Sequence, residues 1–245
     1  MNLDQYVKLS IEEDVKDGDH STLSCIPGNN IGSAELLIKE SGIIAGIEIA
    51  KSIFKTFNEN IIFKPILKDG QEVKNGDVAF EVSGSSQSIL TIERLVLNVM
   101  QRMSAISTLT KKYVKEIDGL KTKILDTRKT TPLNRFLEKK AVQIGGGFNH
   151  RFGLYDMIML KDNHIDFAGG IKNAIEKSNR YIINKGLDMK IEIETRNLGE
   201  LKQVLEYGEV DRIMLDNFNF RDLKTAVELI DGKFETEASG GINLK

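Results

Sequence analysis

Hydrophobic and polar positions change their rhythm partway along the chain, near residue 118. Before that point the pattern mixes periods. Leu3, Tyr6, Val7, Leu9 and Ile11 fall partly on one side of a short starting helix. Residues 34–39 (AELLIK), 61–67 (IIFKPIL) and 78–82 (VAFEV) read as strands. Residues 46–57 (GIEIAKSIFKTF) read as a helix with Ile47, Ala50, Ile53, Phe54 and Phe57 on one face. Asp69-Gly70 and Asn75-Gly76 are turn signals. SGSSQ (84–88) reads as a short flexible link. A long helical pattern follows to Ile117, in which Leu95, Val96, Val99, Met103 and Ile106 keep helical spacing, and a break is expected near Ser104–Ser107. This first part, residues 1–117, reads as a small α/β sandwich with linking helices.

From residue 118 to 245 strand-like and helical stretches alternate. The strands are 123–127, 155–160, 190–195, 210–215 and 234–239. The helices between them are LNRFLEKKAVQ, IKNAIEKSNRYIINK, LGELKQVLEYG and FRDLKTAVELI. Alternation of this kind implies parallel strands joined by crossover helices, in a barrel or an open sheet.

Composition narrows the function classes. The chain has 245 residues, 40% hydrophobic and 29% charged, an ordinary globular balance with material for a sizeable core. A net charge of −2 carries no general signal for nucleic acid. No apolar run approaches the ~20 residues that span a bilayer, and the start has no signal-peptide pattern. The single cysteine, Cys25, excludes a disulfide framework within the chain and points to a reduced, cytoplasmic setting. The charge is uneven, however. Residues 121–165 hold nine Lys/Arg against four acids, which suggests an anionic ligand. Arg135, Lys139 and Lys140 read as a solvated helix face. Arg128, Lys129, Arg151 and Lys161 fit that explanation less well, because they adjoin apolar strands or glycines.

Each of the later strands ends in reactive side chains. Strand 123–127 runs into Arg128-Lys129, 155–160 into Lys161-Asp162-Asn163-His164, and 210–215 into Asp216-Asn217. Strand 190–195 carries Glu192 and Glu194, and 234–239 ends in Ser239-Gly240-Gly241. In β/α barrels the C-terminal strand ends share one mouth, where catalytic residues collect. Such a mouth sets Arg128, Lys129, His150, Arg151 and Lys161 against Glu194 and Asp216. Cations of this kind bind carboxylates and phosphates. The two acids could hold Mg2+ or accept hydrogen bonds from sugar hydroxyls. Ser239-Gly240-Gly241 can offer backbone N–H groups to a phosphate. Gly145-Gly146-Gly147 matches neither a P-loop nor a dinucleotide fingerprint, and there is no zinc spacing and no nucleophile elbow. The chemistry is therefore read as binding and electrostatics without a covalent nucleophile.

These residues also carry a family pattern. DTRKTTP (126–132), GGG with Asn149-His150-Arg151, and MLKDNH (159–164) closely resemble the core of the quinolinate phosphoribosyltransferases. Glu93-Arg94, Glu192-Ile193-Glu194, Leu215-Asp216-Asn217-Phe218, EASGG (237–241) and the early GDHST and SGIIAG segments extend the match over essentially the whole chain. The resemblance implies an N-terminal α/β sandwich and an incomplete β/α barrel. It also implies a homodimer or larger assembly in which Arg94 is lent to the neighbouring site. It implies an activity that joins quinolinate to 5-phosphoribosyl-1-pyrophosphate with Mg2+. On that pattern Arg128, His150, Arg151 and Lys161 hold the two quinolinate carboxylates, and Lys129 lies between substrate and ribose. Glu194 and Asp216 meet the ribose hydroxyls and the metal, and Ser239 and Gly240 join in phosphate binding. Two departures stand out. Leu133-Asn134-Arg135 replaces the usual Gly-Leu-Arg, and the sequence stops at Lys245, where the family pattern goes on to another strand and a second phosphate-binding segment. The expectation is a barrel lacking its usual last segment. Two other readings stay open: a same-fold transferase with another acceptor, and a shortened paralogue that binds without turnover.

Overall fold

The computed structural model describes residues 2–244, and these form two compact units, one running through His150 and the other starting at Arg151.

The first unit opens with α1 (Leu3–Asp14), α2 (His20–Cys25), β1 (Ile31–Leu37), β2 (Gly42–Ile43) and α3 (Ile47–Phe57). It continues with β3 (Ile62–Pro65), β4 (Glu72–Val73), β5 (Val78–Ser85), α4 (Ser86–Glu116) and α5 (Arg135–Ile144). Its main sheet is antiparallel in the order β1-β5-β3, with Ala34 opposite Val82 and Phe63 opposite that same Val82. Alternation drives one face of this sheet inward, where Phe63 and Phe80 stack at 4.5 Å and join Phe54 of α3. Val96, Val99, Met100 and Met103 of α4 complete the same core, and Val7 of α1 is sealed against it. Asp69, at the predicted turn, accepts the N–H groups of Gly46 (2.7 Å) and Ile47 (2.8 Å) and so caps the start of α3.

Two sequence expectations fail here for the same reason. Residues 84–88 are not a loose link, and α4 does not break near Ser104–Ser107. Serine and threonine read as loop-forming because their hydroxyls compete for local backbone. In this fold those hydroxyls are used elsewhere. Ser85 caps α4 by accepting the Ser88 N–H (3.3 Å), and Ser86 donates to Asn30 (2.6 Å). Ser104 and Thr108 accept N–H groups from Ala45 and Ile43, and Ser107 donates to the Ala141 carbonyl at 2.7 Å. The helix therefore runs unbroken for 31 residues.

A third expectation fails at 123–127, which is no strand. Only one parallel bridge forms, Leu125 to Phe148, closed by Phe148 N–H to Ile124 O (2.8 Å) and Asp126 N–H to Phe148 O (3.1 Å). Beyond that rung the Asp126 side chain is occupied with other partners, described below.

The second unit carries β6 (Ile158–Leu160), α6 (Asp162–Ala168), α7 (Ile171–Lys185), β7 (Ile191–Thr195), α8 (Leu198–Tyr207), β8 (Arg212–Asp216), α9 (Phe220–Ile230) and β9 (Glu235–Ser239). The sheet is wholly parallel in the order β6-β7-β8-β9, each step bridged by helix. This is the strand-and-helix repeat of a partial β/α barrel. Strand β6 is shorter than its apolar pattern because Asp156 gathers the N–H groups of Phe152 (2.6 Å) and Gly153 (2.9 Å) into a tight loop before it. Helix α6 begins directly after Lys161, within a stretch whose polarity reads as loop. Ile191, Ile193, Ile213 and Leu215 share one sheet face and pack on Leu201, Val204, Ala226 and Ile230 of the helices. No helix among the described residues is long and apolar enough to cross a membrane.

Candidate active site

In the parallel unit, the face turned away from the helices is mostly charged, with Met159 and buried Met214 as its apolar members on β6 and β8. Period-2 alternation puts Glu192 and Glu194 of β7, Arg212 and Asp216 of β8, and Glu235, Glu237 and Ser239 of β9 on it. Barrel interiors ordinarily hold bulky branched apolar side chains there, so these charges call for an explanation other than packing. Arg212 answers part of it. Its guanidinium donates twice to Glu235 (2.7 and 3.0 Å), reaches Glu237 at 3.4 Å and lies 3.9 Å from fully buried Glu192.

Towards the C-terminal strand ends stand Lys161 and Glu194, level with Met214 and Glu237, and beyond them Asp216 and Ser239. Leu160 pairs with Ile193, which sets the next residues Lys161 and Glu194 at one level, and Asp216 pairs with Ser239 directly. Burial pushes the Glu194 carboxyl above its ordinary range, the negative charge of Asp216 adds to this, and the Lys161 ammonium opposes it. Asp216 accepts from the Asn217 amide at 2.7 Å. Asn217 is itself held by its N–H bond to Ser239 O (2.8 Å) and has φ of +56°. Gly240 closes the turn at φ +82°, and a Cβ there would lie 2.1 Å from Asn217 Oδ1. Glycine is therefore required by both conformation and space. The Lys161 backbone N–H donates to His164 Nδ1 (2.9 Å), which makes Nδ1 the unprotonated ring nitrogen and fixes the start of α6. Arg151 donates to the Met157 carbonyl at 3.1 Å. Despite the upward pull of partial burial, N–H bonds from Gly153 and Phe152 and the nearby Arg151 charge hold the Asp156 carboxyl below its usual range.

In the first unit, Arg128 and Lys129 sit on the irregular segment 126–131. Arg128 Nε is buried and makes no hydrogen bond among the described residues. That leaves a planar donor available for a carboxylate or phosphate. Asp126 anchors the segment. Its carboxylate takes Lys139 Nζ and the His150 N–H (2.9 Å). With its amide in the orientation that satisfies both ends, Asn149 donates to the same carboxylate (2.7 Å) and to Lys139 O (3.0 Å). Lys139 is thus no solvated lysine: it is 1% exposed and ion-paired with Asp126. Sequence reasoning missed this pair. A lysine next to Glu138 and Lys140 on a helix reads as surface, and its phase opposite buried Leu137 and Ala141 gave no contrary signal. The glycines before His150 allow a close crossing. A Cβ on Gly145 would fall 2.5 Å from the Ser107 carbonyl of α4. Arg94 stands on the exposed side of α4. It lies eight residues before Arg102, the point where that helix meets segment 126–131, so about 12 Å along the axis.

A parallel β/α sheet with a lysine and a carboxylate pair at its strand ends is the site of an enzyme acting on anionic, phosphate-bearing substrates. Family profiles agree in detail. The quinolinate phosphoribosyl transferase N-terminal domain matches residues 19–104, and the C-terminal domain of the same family matches 106–245. The chain belongs to the quinolinate phosphoribosyltransferase family. It is 44% identical to the chloroplastic nicotinate-nucleotide pyrophosphorylase [carboxylating] of Arabidopsis thaliana, covering all of this chain and 74% of that protein. It is 42% identical to the probable nicotinate-nucleotide pyrophosphorylase [carboxylating] of Bacillus subtilis, over 95% of this chain and 79% of that one. Among solved structures, NadC from Streptococcus pyogenes superposes with a TM-score of 0.93 at 37% identity, over 98% of this chain and 84% of the other.

Proposed function

We propose that this chain converts quinolinate and 5-phosphoribosyl-1-pyrophosphate to nicotinate mononucleotide, pyrophosphate and CO2, a step of NAD biosynthesis. The observation that carries the reading is the set of Lys161 and Glu194 on one level, with Asp216 and Ser239 two residues further along, on the same face at the C-terminal side of successive parallel strands, within a chain of this family. Arg128, His150, Arg151 and Lys161 supply the positive groups for the two quinolinate carboxylates. The unsatisfied Nε of Arg128 suits a carboxylate oxygen. Lys129 serves the junction of acid and ribose. Ser239 and Gly240 offer polar groups to phosphate.

The bond from ribose C1 to the pyrophosphate oxygen breaks, and the ring nitrogen of quinolinate forms the new bond to C1. Positive charge builds on the sugar as pyrophosphate departs, and the Glu194 and Asp216 carboxylates stabilise it. Once ribosylated, the ring nitrogen is cationic. It accommodates the electron pair left when the adjacent carboxylate leaves as CO2, and a proton then takes that position. Mg2+ would fit between Glu194 and Asp216, because burial and the nearby Asp216 charge both disfavour a bare Glu194 carboxylate. When bound together with the substrate phosphates, it neutralises charge on the leaving pyrophosphate. The working form is a homodimer or larger assembly in which Arg94 serves the neighbouring site, and its setting is cytoplasmic.

The test is pyridine-nucleotide formation by Arg128→Ala and Lys161→Ala, with quinolinate and nicotinate compared as acceptors. Loss of one carboxylate-binding cation costs about 2–5 kcal/mol of transition-state binding. Near-parent rates in both variants, or a preference for nicotinate, refute the assignment.

A further inference from the structure

Two consecutive residues of α5 grip the segment carrying Arg128 and Lys129 at both of its ends. At the first end, Lys139 Nζ donates to Asp126 and to the His150 carbonyl (3.2 Å). At the second, Glu138 Oε2 accepts the Thr131 N–H at 3.3 Å. The other oxygen of Glu138 takes two N–H groups from Arg102 of α4, at 2.9 and 3.0 Å. Both gripping residues are buried, Glu138 at 6% and Lys139 at 1% exposure. Packing alone does not ask for charge at these positions. An apolar side chain of similar volume would fill the space around Lys139 without the desolvation penalty of an ammonium. What the charge supplies is direction. The Asp126 carboxylate holds the Arg128 segment, receives the His150 N–H at 2.9 Å, and is held in turn by Lys139.

We propose that Lys139 and Glu138 are positioning residues for substrate capture, which deepens the phosphoribosyl-transfer reading above and rests on it. They fix residues 126–131 and the His150 backbone as one piece, so that Arg128, Lys129 and His150 meet the substrate in a set arrangement. Lys139 binds the two backbone segments together through Asp126 and the His150 carbonyl. Glu138 ties the far end to α4 through Arg102, which also reaches Thr131 Oγ1 at 3.4 Å. Without the first tie, the His150 N–H bond to Asp126 (2.9 Å) and the Leu125–Phe148 rung still join the two segments, but the Asp126 carboxylate loses its cation and Arg128 and His150 lose their set spacing. A displacement on the order of 1 Å in an oriented site costs about 100-fold in rate.

The experiment compares the parent with Lys139→Met and with the double variant Asp126→Asn/Lys139→Met, which leaves no uncompensated buried charge. Quinolinate and phosphoribosyl pyrophosphate are varied separately. Thermal unfolding and quinolinate-binding stoichiometry report folding and the fraction of competent sites. The expected result is a quinolinate KM raised about 10- to 100-fold per competent site in both variants, with the double variant folded. A purely structural role gives fewer competent sites with unchanged constants at each. That result overturns the proposal. If neither variant folds, Glu138→Ala reads the same segment from its other end: a raised quinolinate KM supports the proposal, and an unchanged one overturns it. A parent that turns over quinolinate while the folded variants keep its KM sinks the positioning role alone. A parent without turnover sinks the transfer reading and this inference together.

Discussion

Substituting Gly240 with alanine probes the turn that sets Asp216. The added Cβ would lie 2.1 Å from Asn217 Oδ1, 2.5 Å from its Cγ and 3.0 Å from its backbone nitrogen. No rotation of the alanine relieves this, so Asn217 must move or the chain after β9 must swing outward. The first route breaks the Asn217–Asp216 hydrogen bond (2.7 Å), and the second breaks Asn217 N–H to Ser239 O (2.8 Å). Either loss amounts to about 1 kcal/mol for a partly exposed bond. Holding alanine at φ +82° adds about 1–2 kcal/mol. The total is about 2–3 kcal/mol, and for a chain of this size each kcal/mol shifts Tm by roughly 2–4 °C. Gly241 provides the control. It too has positive φ, +67°, but nothing lies within 4 Å of its would-be Cβ. Gly241→Ala therefore carries the conformational strain without the collision. Thermal unfolding of both variants, with the KM for phosphoribosyl pyrophosphate, separates the two contributions. Gly240→Ala should show the larger Tm loss and a raised KM, because Asp216 is displaced. Equal Tm losses and equal KM values in the two variants would refute the collision argument.

Two further outcomes follow from the same geometry. Burial first, and then the Asp216 charge, raise the Glu194 carboxyl above its ordinary value of 4.5. Its charged form is therefore the disfavoured one in the fold: below that value it costs no stability, and the penalty grows as pH rises through the folded midpoint. Asp216→Asn should accordingly raise thermal stability at pH 7 relative to pH 4 while lowering activity, and an unchanged stability difference between those pH values would contradict this. Gly145→Ala drives a Cβ to 2.5 Å from the Ser107 carbonyl and 2.7 Å from Thr110 Cβ, against helix backbone that cannot easily yield. It should destabilise the chain by about 1–3 kcal/mol in denaturant unfolding.

The sequence by itself determined the parallel unit almost completely. The helices at 171–185, 198–207 and 220–230 and the strands of β7, β8 and β9 lie where apolar periodicity predicts them. Each strand there is a complete local signal, because its apolar residues face helices built from neighbouring sequence. The reactive residues at the strand ends were legible for the same reason: their positions follow from the strand that precedes them. The tertiary structure alone decided the rest. Whether SGSSQ is a linker or a strand end with a cap depends on Asn30 and β1, about 50 residues earlier in the chain. Whether Ser104–Thr108 breaks a helix depends on residues 43–45 offering their backbone. Lys139 turned from surface lysine to buried anchor because Asp126, thirteen residues away, is folded against it. A polar side chain carries no label for its partner. Its local preference is weak, and one long-range hydrogen bond or ion pair is enough to reverse it.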